Sequence, residues 1–136
     1  MSDSLPRVVL VHGVWDLLHP GHIEHLRQAS LLGDELVVSV VPDKFCTKRK
    51  PVYSNAERLM LLQAVRCVTY AHLCGGPGPE SIIKWLKPSV YVRSLDYLGV
   101  ETPELVLLEE LRIPLAFTRP LPIHTSDIIA RIKALS

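Results

Sequence analysis

Cysteine, net charge and long apolar runs are all scarce in these 136 residues, and each scarcity excludes something. Three cysteines, Cys46, Cys67 and Cys74, are odd in number and form no CxxC pair, so neither a disulfide framework nor a zinc knuckle is indicated. Reduced thiols are the expectation. A formal charge of +1 gives no general attraction to nucleic acid or to a membrane surface, which leaves phosphate binding to local cationic clusters. The opening MSDSLPR has no apolar signal core, and no later run approaches the roughly eighteen residues of a spanning helix. A cytoplasmic protein with no membrane or nucleic-acid partner is therefore expected. No GK[ST] follows the glycines of Cys74–Pro79, which excludes a Walker-type NTPase, and no GxGxxG follows the first strand, which weakens a dinucleotide-binding reading.

What is present suits one compact domain over residues 1–136, since 48% hydrophobic content at this length can bury one core but hardly two. The chain is organised around Val8 to Ala29, VVLVHGVWDLLHPGHIEHLRQA. Val8 to Val11 reads as a strand buried on both faces, and Ile23, Leu26 and Ala29 then change the period to that of a helix. A tight strand-to-helix turn leaves the first helical N–H groups unpaired, where an anion can sit. Pro20 fits a first helical position, and Gly21 lets the backbone approach a ligand. His19 and His22, three apart at this helix mouth, can both donate to a charged oxygen, although two ordinary surface histidines would look the same.

Further along, Gly33 closes the helix and Glu35 to Val41 forms a second strand ending at Pro42-Asp43. Lys44, Lys48, Arg49 and Lys50 follow on a loop sharing an edge with the histidines. Any one lysine there can equally be a solvated surface charge. Asn55 begins a helix with Leu59, Leu62 and Val65 as its apolar stripe, ending near Cys67. Val68 to Leu73 is a third strand, Glu80 to Leu86 a helix stopped at Lys87-Pro88, and Val90 to Val92 a fourth strand. Pro103 to Leu111 is a helix with Leu107, Leu108 and Leu111 inward, and Pro114 to Phe117 is a fifth strand. His124-Thr125-Ser126-Asp127 then reads as a cap before Ile128, Ile129, Ile132 and Leu135. This alternation predicts an α/β, Rossmann-like open parallel sheet of about five strands with helices on both faces.

Gly13-Val14-Trp15-Asp16 followed by His19-Pro20-Gly21-His22 resembles the GxFD...HxGH signature of the cytidylyltransferase-like nucleotidylyltransferases, and the resemblance covers almost the whole chain. It implies that His19 and His22 stabilise the α-phosphate of CTP or ATP while a small phosphomonoester attacks it and pyrophosphate leaves. Lys44 and Arg58 would join them on the phosphates, with the main chain at Gly13, Val14, Trp15 and Gly21 lining the nucleotide. The structural alternative for Arg58 is a helix-surface ion pair. Asp16, Lys48 and Lys50 would face the acceptor, a sugar or polyol phosphate. Arg93-Ser94-Leu95-Asp96-Tyr97 occupies the place of a KGxDY-like segment, so Arg93, Asp96 and Tyr97 would touch the nucleotide; an Asx-type turn with an aromatic lid explains the last two as well. Ser94 and Leu95 depart from that segment. Arg119, Ile123, Thr125, Ser126 and Ile128 match an RTxGIST[ST]xI motif, with His124 in place of serine. Arg119, Thr125 and Ser126 would hold the triphosphate, and capping alone would also account for the two hydroxyls. Mg2+ is expected to come bound through the triphosphate, with no metal site on the protein itself. A homodimer is implied by the family and by Trp15, Trp85 and the leucine-rich faces.

Two other readings compete. A metal-binding module of His19, His22 and His25 suffers because steps of three turn His25 roughly 120° from His19 around the helix. A silent nucleotide-binding or RNA-associated domain is the other, but no KMSKS-like segment accompanies the histidine motif.

Overall fold

The computed structural model describes residues 5–136. Its strands are Val8–Gly13 (β1), Glu35–Val40 (β2), Tyr70–Leu73 (β3), Val90–Ser94 (β4) and Leu115–Thr118 (β5). Its helices are Pro20–Ser30 (α1), Asn55–Gln63 (α2), Glu80–Leu86 (α3), Glu104–Glu110 (α4) and Thr125–Ala134 (α5). Short 3-10 turns lie at Asp43–Phe45 and Leu95–Tyr97. The strands make one sheet in the order β3-β2-β1-β4-β5. Every pairing in it is parallel, with Leu10 opposite Val37 on one side and Tyr91 on the other.

Alternate residues of the central strands feed two separate cores, which is why those strands are almost continuously apolar in sequence. Val9 and Val11, with Leu36, Val38, Val40, Val90 and Val92, pack against Leu26 and Ala29 of α1 and Leu62 of α2. Leu10, Val37 and Tyr91 face the other way and meet Ile82 and Ile83 of α3 and Leu108 of α4. Helices thus cover both faces, as the alternating pattern predicted. Chain order reverses direction across the sheet between β1 and β4, and ligands of open parallel sheets bind at the carboxyl ends of the strands on either side of that point.

Several local expectations are corrected. Ile23 of α1 is 42% exposed, because the helix buries only Leu26 and Ala29. Gly33 is not the cap of α1, whose C-cap is Leu31; it is small because a Cβ there would stand 2.6 Å from Arg7 O. The N-cap of α2 is Ser54, not Asn55: Ser54 Oγ accepts from Glu57 N and Glu57 Oε1 accepts from Ser54 N, a reciprocal capping box. That helix ends at Gln63, earlier than its apolar stripe suggests. Leu111 lies exposed beyond the end of α4, and α5 has no buried residue, with Ile132 and Leu135 exposed. Among the described residues no helix is long and apolar enough to cross a membrane.

Candidate active site

The turn after β1 is where the sequence forces the backbone. Trp15 and Leu17 both have positive φ, 59° and 46°, a region that costs a non-glycine residue of order 1–3 kcal/mol and persists only when its surroundings fix it. Three contacts do so. Trp15 Nε1 donates to Ser39 O at 3.0 Å, Val41 N donates to Gly13 O at 2.9 Å, and Asp16, between the two strained residues, accepts hydrogen bonds from across the chain. Gly13 lies close under the Trp15 ring, where a Cβ would come to 3.1 Å from it and the ring would have to shift.

Asp16 is 2% exposed. Its carboxylate takes Val52 N at 2.8 Å, Tyr53 N at 3.0 Å and Arg49 Nη1 at 3.2 Å. Burial alone would raise its pKa; the Tyr53 and Val52 N–H groups and the Arg49 guanidinium outweigh that and hold it below the usual carboxylate range. Asp16 therefore ties the loop after β2 to the turn after β1. Arg49, one of the four loop cations, is the one this carboxylate fixes, a pairing that spacing in sequence could not reveal. Lys44, Lys48 and Lys50 are exposed and have no ion-pair partner among the described residues; Lys44 Nζ stands 5.2 Å from the centroid of the Phe45 ring.

At the mouth of α1, His19 is the N-cap and Pro20 opens the helix. His19 Nδ1 accepts from Gly21 N at 3.0 Å, and His22 Nδ1 accepts from His19 N at 3.2 Å. Main-chain N–H groups can only donate, so both Nδ1 atoms are bare and each neutral ring carries its proton on Nε2. The helix start thereby fixes the tautomer of both histidines. Burial, with His19 and His25 beside it, pushes the His22 pKa down to about 3, and burial with His124 nearby lowers that of His19. Gly21 is required here for the ring of His19, since a Cβ would lie 2.8 Å from its Cε1 and 3.1 Å from Ile123 O.

That last contact shows how close α5 comes. Thr125 Oγ1 donates to Asp16 O at 3.3 Å, so the second helix mouth abuts the strained turn. Asp127 Oδ2 accepts from His124 N and completes the start of α5, while Ser126 is exposed. Two helix N-termini, with their unpaired N–H groups, thus share one end of the sheet.

Arg58 sits differently from the sequence expectation. It is 0% exposed and donates to Val14 O, Val41 O, Tyr53 O and Asn55 Oδ1. It clamps the turn after β1 to the loop after β2, and its donors face protein carbonyls instead of open space. Arg93 is also buried, donating to Val100 O at 3.1 Å with its guanidinium 5.2 Å from the centroid of the Tyr97 ring. Ser94 Oγ accepts from Asp96 N, an ST-turn, and Asp96 and Tyr97 are exposed. Arg119 is exposed, its main chain paired to the Gln28 amide through both N and O.

His25 was outside the expected phosphate-binding residues, yet it belongs to the same cluster. Its ring stacks on Trp15 with centroids 5.8 Å apart, and its Nδ1 lies 2.5 Å from Thr118 Oγ1 at the end of β5. Burial pushes its pKa down to about 4. The three histidines of α1 do not converge on one point for a metal: two Nδ1 atoms serve the helix start and the third serves Thr118. Among the described residues no group of three or more His, Cys, Asp or Glu could hold a metal ion. Of the two tryptophans expected to meet a partner, Trp15 is in the core at 5% exposure and Trp85 is outside at 80%.

The bifunctional protein HldE of Helicobacter pylori strain J99 is 34% identical over 98% of this chain, and that of Streptomyces coelicolor 39% identical over 76%. The chain spans less than a third of those relatives, 29% and 23% of their lengths. The crystal structure of the lipopolysaccharide core biosynthesis protein from Thermoplasma volcanium GSS1 superposes with a TM-score of 0.75 at 25% identity, over 85% of this chain and 98% of that one. The cytidylyltransferase-like family model matches residues 10–131, a span that holds both helix mouths and all five strands but the first two residues of β1. With the histidine motif at the mouth of α1 and the matching sheet, the chain belongs to the cytidylyltransferase-like family of nucleotidylyltransferases.

Proposed function

We propose that this domain transfers a CMP or AMP group from CTP or ATP to the phosphate of a sugar or polyol phosphate and releases pyrophosphate. The observation that carries this reading is the pair of neutral imidazoles at the mouth of α1, each with its Nε2–H left as a donor, next to a second helix mouth. An acceptor phosphate oxygen forms a bond to the α-phosphorus while the bond to the bridging oxygen of pyrophosphate breaks, the electron pair leaving with pyrophosphate. No general base is required, because a phosphomonoester with a second pKa near 6 is already largely dianionic at pH 7. Asp16 in any case has its oxygens occupied by Val52, Tyr53 and Arg49.

The chain's part is positioning and charge stabilisation. His19 and His22 donate to the α-phosphate as charge gathers on it. The α5 mouth, with Ser126 and the N–H groups after His124, holds the triphosphate, and Lys44, Lys48 and Lys50 attract the acceptor phosphate and the leaving group. The nucleotide lies along the main chain of Gly13, Val14, Trp15 and Gly21 and along Asp96, Tyr97 and Arg119. Arg58 and Arg93 position these segments from beneath. Mg2+ would come bound through the triphosphate and would supply neutralisation of its phosphate charge. The working form is a homodimer, a reading supported by the exposed Trp85 and tested by light scattering, where a mass near 15 kDa with full activity would exclude it.

Incubation with each of the four NTPs and a panel of phosphomonoesters, reading pyrophosphate, tests the reaction. Release that requires both partners is the expected outcome. Tight nucleotide binding without release for any acceptor would overturn transfer and leave a silent nucleotide-binding domain.

A further inference from the structure

Helix α1 also grips the chain where it leaves the sheet for the second helix mouth. His25 and Gln28, three positions apart on α1, hold Thr118, the last residue of β5, and Arg119 after it: His25 Nδ1 lies 2.5 Å from Thr118 Oγ1, and the Gln28 amide meets the main chain of Arg119. That meeting is two-sided. Arg119 N donates to Gln28 Oε1 at 2.8 Å and Gln28 Nε2 donates to Arg119 O at 3.0 Å, the exchange a residue makes with its opposite in an antiparallel sheet. Glu24 sets which way the amide faces. Its Oε2 accepts from Gln28 Nε2 at 2.9 Å while Arg27 holds both of its oxygens, so the opposite orientation would set the amide oxygen against a carboxylate.

From Arg119 the chain has little freedom on its way to α5. Pro120 and Pro122 fix their own φ angles, and Ile123 N donates to Leu121 O at 2.8 Å, closing a tight turn. Gly21 and Gln28 stand two helical turns apart, about 10 Å along α1, and the segment from Arg119 to Ile123 covers that distance. At one end it is paired to Gln28; at the other, Ile123 O lies only 3.1 Å from where a Cβ on Gly21 would stand. The helix it leads to has no seat of its own. α5 has no buried residue, and its mouth meets the strained turn through Thr125 Oγ1, which donates to Asp16 O at 3.3 Å. With no fully buried side chain beneath it, α5 takes its place from the segment ahead of it and from the Thr125 contact.

We propose that Gln28 is a positioning residue for the nucleoside triphosphate: by fixing Arg119 on α1 it sets where the proline-stiffened segment delivers the mouth of α5 beside His19. The proposal rests on the nucleotidyl-transfer reading above and deepens it. Gln28 itself touches no substrate. It acts through Arg119 and through the N–H groups after His124, whose placement relative to His19 and His22 decides whether the α-phosphate and the rest of the triphosphate are held at once. A misplacement of about 1 Å, caused by a residue away from the chemistry, costs on the order of 100-fold in rate.

The test compares wild type with Gln28→Met, which keeps the length and loses the amide, and Gln28→Glu, which keeps the acceptor for Arg119 N. Calorimetric titration of each NTP, kinetics of pyrophosphate release, Tm and hydrogen exchange at the Arg119 amide are the readouts. Gln28→Met is expected to lower kcat/KM for NTP by about 100-fold and NTP affinity by about tenfold or more, with the KM for the acceptor within about twofold of wild type. The Arg119 amide should exchange faster in it while Tm stays close to that of wild type, and Gln28→Glu should fall between the two proteins. Faster exchange at Arg119 with NTP affinity unchanged would show that the pairing does not place the mouth of α5, and would overturn the proposal. So would an affinity loss that vanishes when titration is run well below both melting points, since that marks a residue acting on stability alone. Wild type that binds NTP without turnover is a failure of the transfer reading; a loss of affinity in Gln28→Met would still support Gln28, and equal affinity would still overturn it. Wild type that binds no NTP overturns both. If Gln28→Met does not fold, the nearly isosteric Gln28→Glu carries the comparison by itself.

Discussion

The imidazoles of His19 and His22 lie with centroids 3.8 Å apart and 31° between their planes, each holding a main-chain N–H on its Nδ1. Protonating either Nδ1 would break the start of α1 and set a positive charge against its neighbour. The fold therefore holds both rings neutral, each with its proton on Nε2.

His22→Ala is expected to lower kcat about 100- to 1000-fold, the loss seen when one donor to a developing oxyanion is removed, with the KM for NTP changed little. Steady-state kinetics on pyrophosphate release measure it. A variant within threefold of wild type would remove His22 from the reaction.

Stability should fall in acid. His22 and His25 have folded pKa values of about 3 and about 4, below the unfolded 6.5, so the unfolded chain takes up protons first as pH drops. Their contribution is complete above pH 6.5 and is lost as pH falls through about 4 and then 3. Melting followed from pH 8 to pH 4 should show Tm level down to about 6.5 and declining below. His25→Gln should flatten that decline, and an unchanged profile would mean that His25 is not held neutral in the fold.

Arg58→Ala should act on stability first. Its removal takes the Arg58 donor from the carbonyls of Val14, Val41 and Tyr53, and for the buried Val41 carbonyl alone that costs about 1–3 kcal/mol. Arg58→Lys should recover little, since one ammonium cannot reach four acceptors spread around a planar fork. Denaturant unfolding measures the loss. A stable Arg58→Ala protein with greatly raised KM for NTP would return this arginine to the phosphates.

Ser126→Ala should do the opposite. The hydroxyl is exposed and has no role in holding α5 to Asp16, which belongs to Thr125. Loss of one hydrogen bond to a charged phosphate, about 1.5–3 kcal/mol, predicts NTP affinity lower by roughly ten- to a hundredfold at unchanged Tm. Calorimetric titration of NTP into both proteins would decide it, and equal affinity would confine Ser126 to the helix surface.

The element order was legible because β1, β2 and β4 are continuous apolar runs and the helices between them change period at Pro20 and Asn55. His19-Pro20-Gly21-His22 was legible because its meaning is local, a helix start and two rings three residues apart. What escaped was what acts at a distance. Nothing near Asp16 in sequence announces that Val52 and Tyr53 will donate to it, and nothing near Arg58 announces Val14 and Val41. An arginine in the first turns of an amphipathic helix looks exposed, and only the folded chain shows it at 0% exposure. Positive φ at Trp15 and Leu17 was equally hidden, since neither residue type favours it.

The all-parallel order of the sheet also sets when the site can exist during synthesis. No two neighbouring strands can close as a hairpin, and β1 must wait for β4, with Val8 O meeting Ser89 N only once the chain has been made as far as Ser89. A nascent chain extending to about Lys87 can pair β3, β2 and β1 and form the α1 mouth, but the far edge of β1 is still bare. The Thr125 hydroxyl, 109 residues after its acceptor Asp16, arrives last of all. A chain made only as far as Lys87 therefore carries the histidines without the second helix mouth, and that end of the sheet is complete only once α5 has been made.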